Sequence, residues 1–144
     1  MTFPPLTELL PHRPPMILLD RVIALRDEGV TCEVTVTEGS LLMRDGVVPA
    51  VVFVEYMAQA VAAYAGLKAR RDGDPVRIGL LLGAREIRFL ASCARVGDRL
   101  EVRVDRRFGD DLVGNFYCEV LRGGAVLALG ALSVYQGGLE GFDP

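Results

Sequence analysis

Glu55 is the residue of this chain whose surroundings most need an explanation. It lies in the run from Val47 to Leu67, which is apolar apart from Glu55, Gln59, Tyr56 and Tyr64. An isolated carboxylate is costly among apolar side chains, so it is either paired or used to move a proton. Gln59 follows one helical turn later on the same face, where its amide can orient the carboxyl group. The alternative is a core carboxylate paired with Gln59 or an arginine. His12 is the single histidine, and histidine is the usual side chain for acid–base work near neutral pH. It reads either as a base or as a structural residue of the N-terminal segment. Asp45 and Ser40 precede the apolar run and read as solvated loop residues, with a base role as the alternative. A helix beginning near Pro49, Ala50 and Val51 would offer backbone N–H groups able to polarise a carbonyl oxygen, which makes these three a candidate substrate-binding turn.

The chain that must position these groups has 144 residues, 51% hydrophobic and 24% charged, with 16 glycines and 8 prolines. Those values fit one globular domain spanning residues 1–144 and exclude disordered or collagen-like chains. The net charge is −3 and the basic residues are scattered, never in a run longer than a pair, so nucleic acid is not an expected partner. Cys32, Cys93 and Cys118 are widely spaced and form no CxxC. With one histidine beside them, neither a zinc site nor a disulfide framework is expected, and a reducing compartment suits them. Nothing resembles a phosphate loop or dinucleotide fingerprint, so no cofactor or metal is expected. Met1 to Pro5 lacks the basic and apolar regions of an export signal, and the expected location is cytoplasmic. Val47 to Leu67 is long enough to span a bilayer, but its central carboxylate, Pro49 and the soluble patterning elsewhere argue against a membrane span.

Hydrophobic periodicity predicts the elements. Leu6 to Leu10 forms a short helical turn, Pro11, Pro14 and Pro15 follow, and Met16 to Leu25 reads as a strand. Val30 to Glu38 alternates strictly, with Val30, Cys32, Val34 and Val36 on one face, and Asp27-Glu28-Gly29 supplies the hairpin turn before it. Gly39 to Val48 reads as a loop. Pro49 suits the first position of a helix that runs to about Arg71, where Asp72-Gly73-Asp74-Pro75 stops it. Further strands are predicted over Val76 to Leu90, Arg99 to Phe108, Leu112 to Arg122 and Ala125 to Gln136, and Gly137 to Pro144 reads as a frayed tail. A helix apolar on nearly every side must be buried on nearly every side, and only an antiparallel sheet is present to do it. The expectation is an α+β domain in which five to six strands wrap one long central helix, a hot dog. Ala58, Ala60, Ala62, Ala63, Ala65 and Gly66 would let strands approach the helix, and burial of Glu55 would favour its protonated form, as suits a proton donor. One protomer leaves a sheet edge and a helix flank uncovered, which invites a two-fold dimer.

Leu10-Pro11-His12-Arg13-Pro14-Pro15-Met16-Ile17-Leu18-Leu19-Asp20-Arg21-Val22 resembles the LPHRxPxLLxDRV opening of the β-hydroxyacyl-[acyl-carrier-protein] dehydratases. Pro49 to Gln59 resembles that family's PGVLxxEAMAQ helix, Ile87-Arg88-Phe89 its ARF segment, and Val96 to Leu100 its PGDQL segment. Val48-Pro49-Ala50 and Ile78 to Gly83 are similar to a dehydratase-like subgroup of aryl-polyene lipid assembly. The resemblance implies a hot-dog fold, a dimer or dimer-derived oligomer, and β-hydroxyacyl thioesters on a carrier protein as substrates. It also implies that Glu55 matches the helix glutamate of the family's acid–base pair.

The sequence departs from the pattern where the family carries its catalytic histidine. The GHFPG segment is replaced by Ser40 to Val47, without histidine, and Ala50 stands in place of a glycine. Dehydration needs a base for the α-proton, an acid for the departing hydroxyl and donors for the carbonyl oxygen, and Glu55 fills at most one of these roles. In the resembled family the acid and base come from different protomers. The expected assembly is a homodimer or a heterodimer with a histidine-bearing dehydratase homologue, and the heterodimer would complete the site. Three functions remain open: dehydration of acyl-carrier-bound chains, thioester hydrolysis of carrier or CoA substrates by Glu55, and non-catalytic acyl binding. Arg70, Arg71, Arg85 and Arg88 are candidates for a basic rim facing an acidic carrier protein.

Overall fold

The structure is a computed structural model that describes residues 2–137. The chain begins with α1 (Leu6–Leu9), β1 (Arg21–Arg26), β2 (Gly29–Thr35) and β3 (Val47–Pro49). It continues through α2 (Val52–Asp72), β4 (Leu80–Phe89), β5 (Cys93–Arg95), β6 (Arg99–Gly109), β7 (Val113–Arg122) and β8 (Ala125–Tyr135). Six strands form one antiparallel sheet in the order β1-β2-β6-β7-β8-β4, and β3 pairs with β5 in a separate two-stranded ribbon. This is the hot-dog fold, in the α+β class.

Alternation in the sequence becomes the inner face of the sheet. Val30, Cys32 and Val34 of β2, Leu100, Val102 and Val104 of β6, and Phe116, Cys118 and Val120 of β7 are all buried. They meet Phe53, Met57, Ala60 and Val61 of α2 in one core. The helix is 21 residues long, about 31 Å at the α-helical rise. It ends at Gly73, whose φ of 75° is the left-handed conformation that a helix C-cap favours, its N–H bonding the carbonyls of Ala69 and Arg70.

Several expectations need correction. Pro49 is the last residue of β3 rather than the first of the helix, since Val48 and Pro49 pair with Ala94 and Cys93. The ribbon was invisible because three-residue strands show no period. Met16 to Asp20 is irregular rather than strand; the Leu18 N–H and the Met16 carbonyl bond the Gln59 side chain instead of a neighbouring strand. The helix is not enclosed all round. It packs chiefly on β2, β6, β7 and α1, while Ala58, Ala62 and Ala65 remain partly exposed. Small residues do permit a close approach at Gly66, but to α1 rather than to a strand, because a Cβ there would collide with the Leu9 carbonyl. The tail expectation falls on residues 138–144, outside the described residues apart from Gly137.

Candidate functional site

Two helical turns decide where Glu55 points. Glu55 belongs to the first turn of α2, and Ala58, Ala62, Ala65 and Ala69 continue its face at spacings of three and four. Beneath them the β8–β4 end of the sheet stands away from the helix, leaving a groove of about 380 Å³. Glu55 and His12 line it, with the alanines as one wall and Val134, Gly79 and Leu81 opposite. Charged groups, among them Lys68, Asp74, Arg77 and Asp111, line it too. Glu55 is therefore not buried as expected: its side chain is 40% exposed in the single chain. No guanidinium neutralises it among the described residues.

Gln59 is the post on which this site is built. It is fully buried, yet every polar function of its amide is used. Its Oε1 accepts from the Leu18 N–H at 2.8 Å, and its Nε2 donates to the Met16 carbonyl at 2.8 Å and to Glu55 Oε1 at 3.1 Å. A buried amide left unpaired would be costly, so the three bonds fix one geometry. They orient the Glu55 carboxyl group and tie the irregular segment after α1 to the helix in a single device.

His12 is carried by that segment. Leu9 and Leu10 are buried in the core, Met16 and Leu18 are held by Gln59, and Arg13 folds back on the carbonyls of Leu10 and His12. The stretch between is stiffened by Pro11, Pro14 and Pro15. This brings His12 Nε2 to 4.0 Å from Glu55 Oε1, with the imidazole 31% exposed. Nδ1 is buried and has no hydrogen-bond partner.

The turn ahead of the helix is divided in its capabilities. The Ala50 N–H is committed to the Ser92 carbonyl at 2.9 Å, and Pro49 has no N–H to offer. The Ala50 carbonyl accepts from Phe53 and that of Val51 from Val54. That leaves the amides of Val51 and Val52 without a hydrogen bond among the described residues. Val51 is 68% exposed and lies one turn before Glu55. Pro49, Ala50 and Val51 do not themselves line the groove. Tyr56, beside Glu55 in sequence, points into the core; burial, with the charge of Asp20 adding to it, pushes its phenol up to about 12.

The remaining candidates separate. Ser40 is occupied with Thr37, donating to its carbonyl at 2.7 Å, and Asp45 is exposed on a turn; neither lines the groove. Arg70 pairs with Glu8 and Arg71 with Asp72 at the far end of the helix, whereas Arg85 and Arg88 are exposed on edge strand β4. The four do not form one rim. No helix of the described residues is long and apolar enough to cross a membrane. The meeting of His12 with Glu55 was not legible in local spacing; the one hint was Gln59, an amide in an apolar helix that had to find backbone partners.

Comparison with known proteins places this geometry in context. A family model described as ApeP-like, ApeP dehydratase, matches residues 4–141. A solved structure described as the dehydratase heterocomplex ApeI:P from Xenorhabdus doucetiae superposes with a TM-score of 0.88 at 32% identity, covering 94% of this chain and 92% of that one. The 3-hydroxyacyl-[acyl-carrier-protein] dehydratase FabZ of Agrobacterium fabrum is 31% identical over 140 residues, 90% of this chain and 88% of the relative. FabZ of Anaeromyxobacter dehalogenans is 35% identical over 105 residues, which cover 68% of this chain and 66% of that relative, just under two thirds of its length.

Proposed function

This chain belongs to the ApeP-like dehydratase family, and from that premise we propose that it removes water from β-hydroxyacyl thioesters carried by an acyl carrier protein, with Glu55 as the proton donor. The observation that carries the reading is the placement of Glu55: fixed by Gln59, free of any guanidinium, and facing a groove that follows an apolar helix face. The alanine face of the helix, with Val61, Leu81 and Val134, gives an acyl chain an apolar track through this groove, and the charged groups lie toward its far end. The thioester carbonyl would lie toward the helix N-terminus, where the Val51 and Val52 amides await an acceptor. In the reaction a base takes a proton from the α-carbon, the electron pair left behind forms the Cα=Cβ bond, and the Cβ–O bond breaks. The hydroxyl leaves as water after taking the Glu55 proton, giving an enoyl thioester.

A homologous subunit completes the structure. β4 ends the six-stranded sheet with an unpaired edge ten residues long, exposing Leu81 and Leu82 beside the open helix flank. Such an edge invites pairing with another strand. The Xenorhabdus relative is described as part of a dehydratase heterocomplex, which favours a related but different subunit as the cover.

The test is co-expression with a histidine-bearing dehydratase homologue. The mass of the purified complex and the enoyl and free-thiol products from β-hydroxyacyl carrier thioesters are then measured. The expected result is a stable heterodimer that forms enoyl product and loses about 10²- to 10⁴-fold in rate on Glu55→Gln. Glu55-dependent thiol release without enoyl product would make the protein a thioesterase. Binding of acyl carrier with neither product would make it a non-catalytic chain holder.

A further inference from the structure

We infer that His12 is the base that takes the α-proton, so that the acid and the base of this site are both supplied by one chain. The inference rests on the dehydratase reading and assigns it a residue. The Ser40 to Val47 segment holds no histidine, and its two polar candidates, Ser40 and Asp45, stay outside the groove. A base must come from elsewhere, and the groove itself narrows the choice. Its other titratable linings, Lys68, Asp72, Asp74, Arg77 and Asp111, belong to the far half of the helix or to elements beyond it. Lys68 is 13 residues past Glu55, about 20 Å along the axis. Among the described residues that line the groove, only His12 stands at the acid.

The distance suits two groups that serve one substrate rather than each other. At 4.0 Å, His12 Nε2 and Glu55 Oε1 are too far apart to share a hydrogen bond. Elimination across a single Cα–Cβ bond needs a base within about 3 to 3.5 Å of the α-carbon and an acid within hydrogen-bond reach of the β-hydroxyl. On one face of the substrate, such groups stand a few ångströms apart. The α-proton passes to Nε2, the freed electron pair closes the double bond, and Glu55 protonates the leaving oxygen.

Packing alone gives His12 no use for its ring nitrogens. A histidine retained for packing uses its ring nitrogens to satisfy neighbouring polar groups. Here Nδ1 is buried with no partner, Nε2 makes no hydrogen bond among the described residues, and the ring lines an open groove. Meanwhile the segment is fastened independently through Leu9, Leu10, Met16 and Leu18. The fold holds the imidazole in place without using its polar atoms.

The experiment uses the full chain in complex with a dehydratase homologue whose own catalytic histidine has been changed to alanine, and a β-hydroxyoctanoyl pantetheine thioester as probe. The expected result is persistent enoyl formation that falls about 10²- to 10⁴-fold on His12→Asn, with KM little changed. Added imidazole should restore turnover to His12→Gly. His12 is the only histidine in the chain, so diethylpyrocarbonate treatment of the wild-type protein before assembly, reversed by hydroxylamine, provides the same comparison without a variant. Turnover that survives both His12→Asn and the modification overturns the inference. If turnover needs only the partner's histidine, the base comes from the partner and the dehydratase reading stands. If no pairing, including one with the unaltered homologue, yields enoyl product, that reading falls and His12 loses its role with it.

Discussion

Glu33 and Glu55 are both carboxylates on central elements of the fold, and their surroundings are opposite. Glu33 projects from β2 and is almost fully covered, its side chain 6% exposed. Arg21, directly across the β1–β2 pair, reaches Oε1 at 2.7 Å, and Arg99 grips Oε2 through Nε and Nη2 at 2.9 and 2.7 Å. Both of its oxygens are consumed by guanidinium donors. Glu55 is more exposed, yet it has only the Gln59 amide and an imidazole beyond hydrogen-bond range. Burial alone is therefore a poor guide to function here. What separates the two is whether the acceptor atoms are already spoken for and whether a cavity reaches them. Glu33 is a strap between three strands; Glu55 is a group with an unmet use.

The sharpest way to break this contrast is to remove each charge in turn. Glu55→Gln should lower enoyl formation by about 10²- to 10⁴-fold, roughly 3 to 5 kcal/mol of barrier, while the thermal midpoint stays close to that of the wild type. A large loss of stability with unchanged turnover would reverse the roles assigned to the two glutamates. Gln59→Leu comes next and should register in both measurements. It leaves the Leu18 N–H and Met16 carbonyl unpartnered, at about 1 to 3 kcal/mol, and frees the Glu55 carboxyl, so turnover falls with stability. Urea denaturation beside the enoyl assay separates the two effects.

Glu33→Ala is the counterpart, expected to cost about 1 to 2 kcal/mol and to leave turnover per folded molecule intact. The figure lies below that for a wholly buried pair because both guanidiniums are mostly exposed. A smaller relative of Glu33 is Asp98, which accepts the Arg95 N–H at 2.9 Å and pairs with Arg122 at 3.0 Å. The backbone bond first, and then Arg122, hold its carboxyl below the usual range. A depressed carboxyl contributes stability above its unfolded value and loses it as pH falls through the folded one. Thermal melts from neutral pH down to about pH 2 should therefore show a shallower acid decline for Asp98→Asn than for the wild type, the smallest effect of the series. An identical slope would remove Asp98 from this class.

Much of this was legible along the chain. The alternation of Leu100, Val102 and Val104 against Arg99, Glu101 and Arg103 marked β6, and the Asp27-Glu28 turn with Gly29 placed the first hairpin. Glu55 and Gln59 stood out because polar groups in an apolar helix must be satisfied. The β3–β5 ribbon did not stand out, since three residues carry no period, and Pro49 suits a strand end as well as a helix start. Nor could the exposure of Glu55 be read: an apolar helix face says that something should cover it, not whether the same chain supplies the cover.

Period and composition, which act between near neighbours, determined the α+β class, the long helix, the strands and the residue types able to move protons. The tertiary structure alone decided that Glu33 is clamped, that Glu55 faces a groove, and that His12 arrives beside it. Those outcomes depend on contacts between segments distant in sequence, above all the three hydrogen bonds by which Gln59 draws the Met16–Leu18 backbone onto the helix. Such a bond has no local signature, because its partner is chosen by the path of the folded chain.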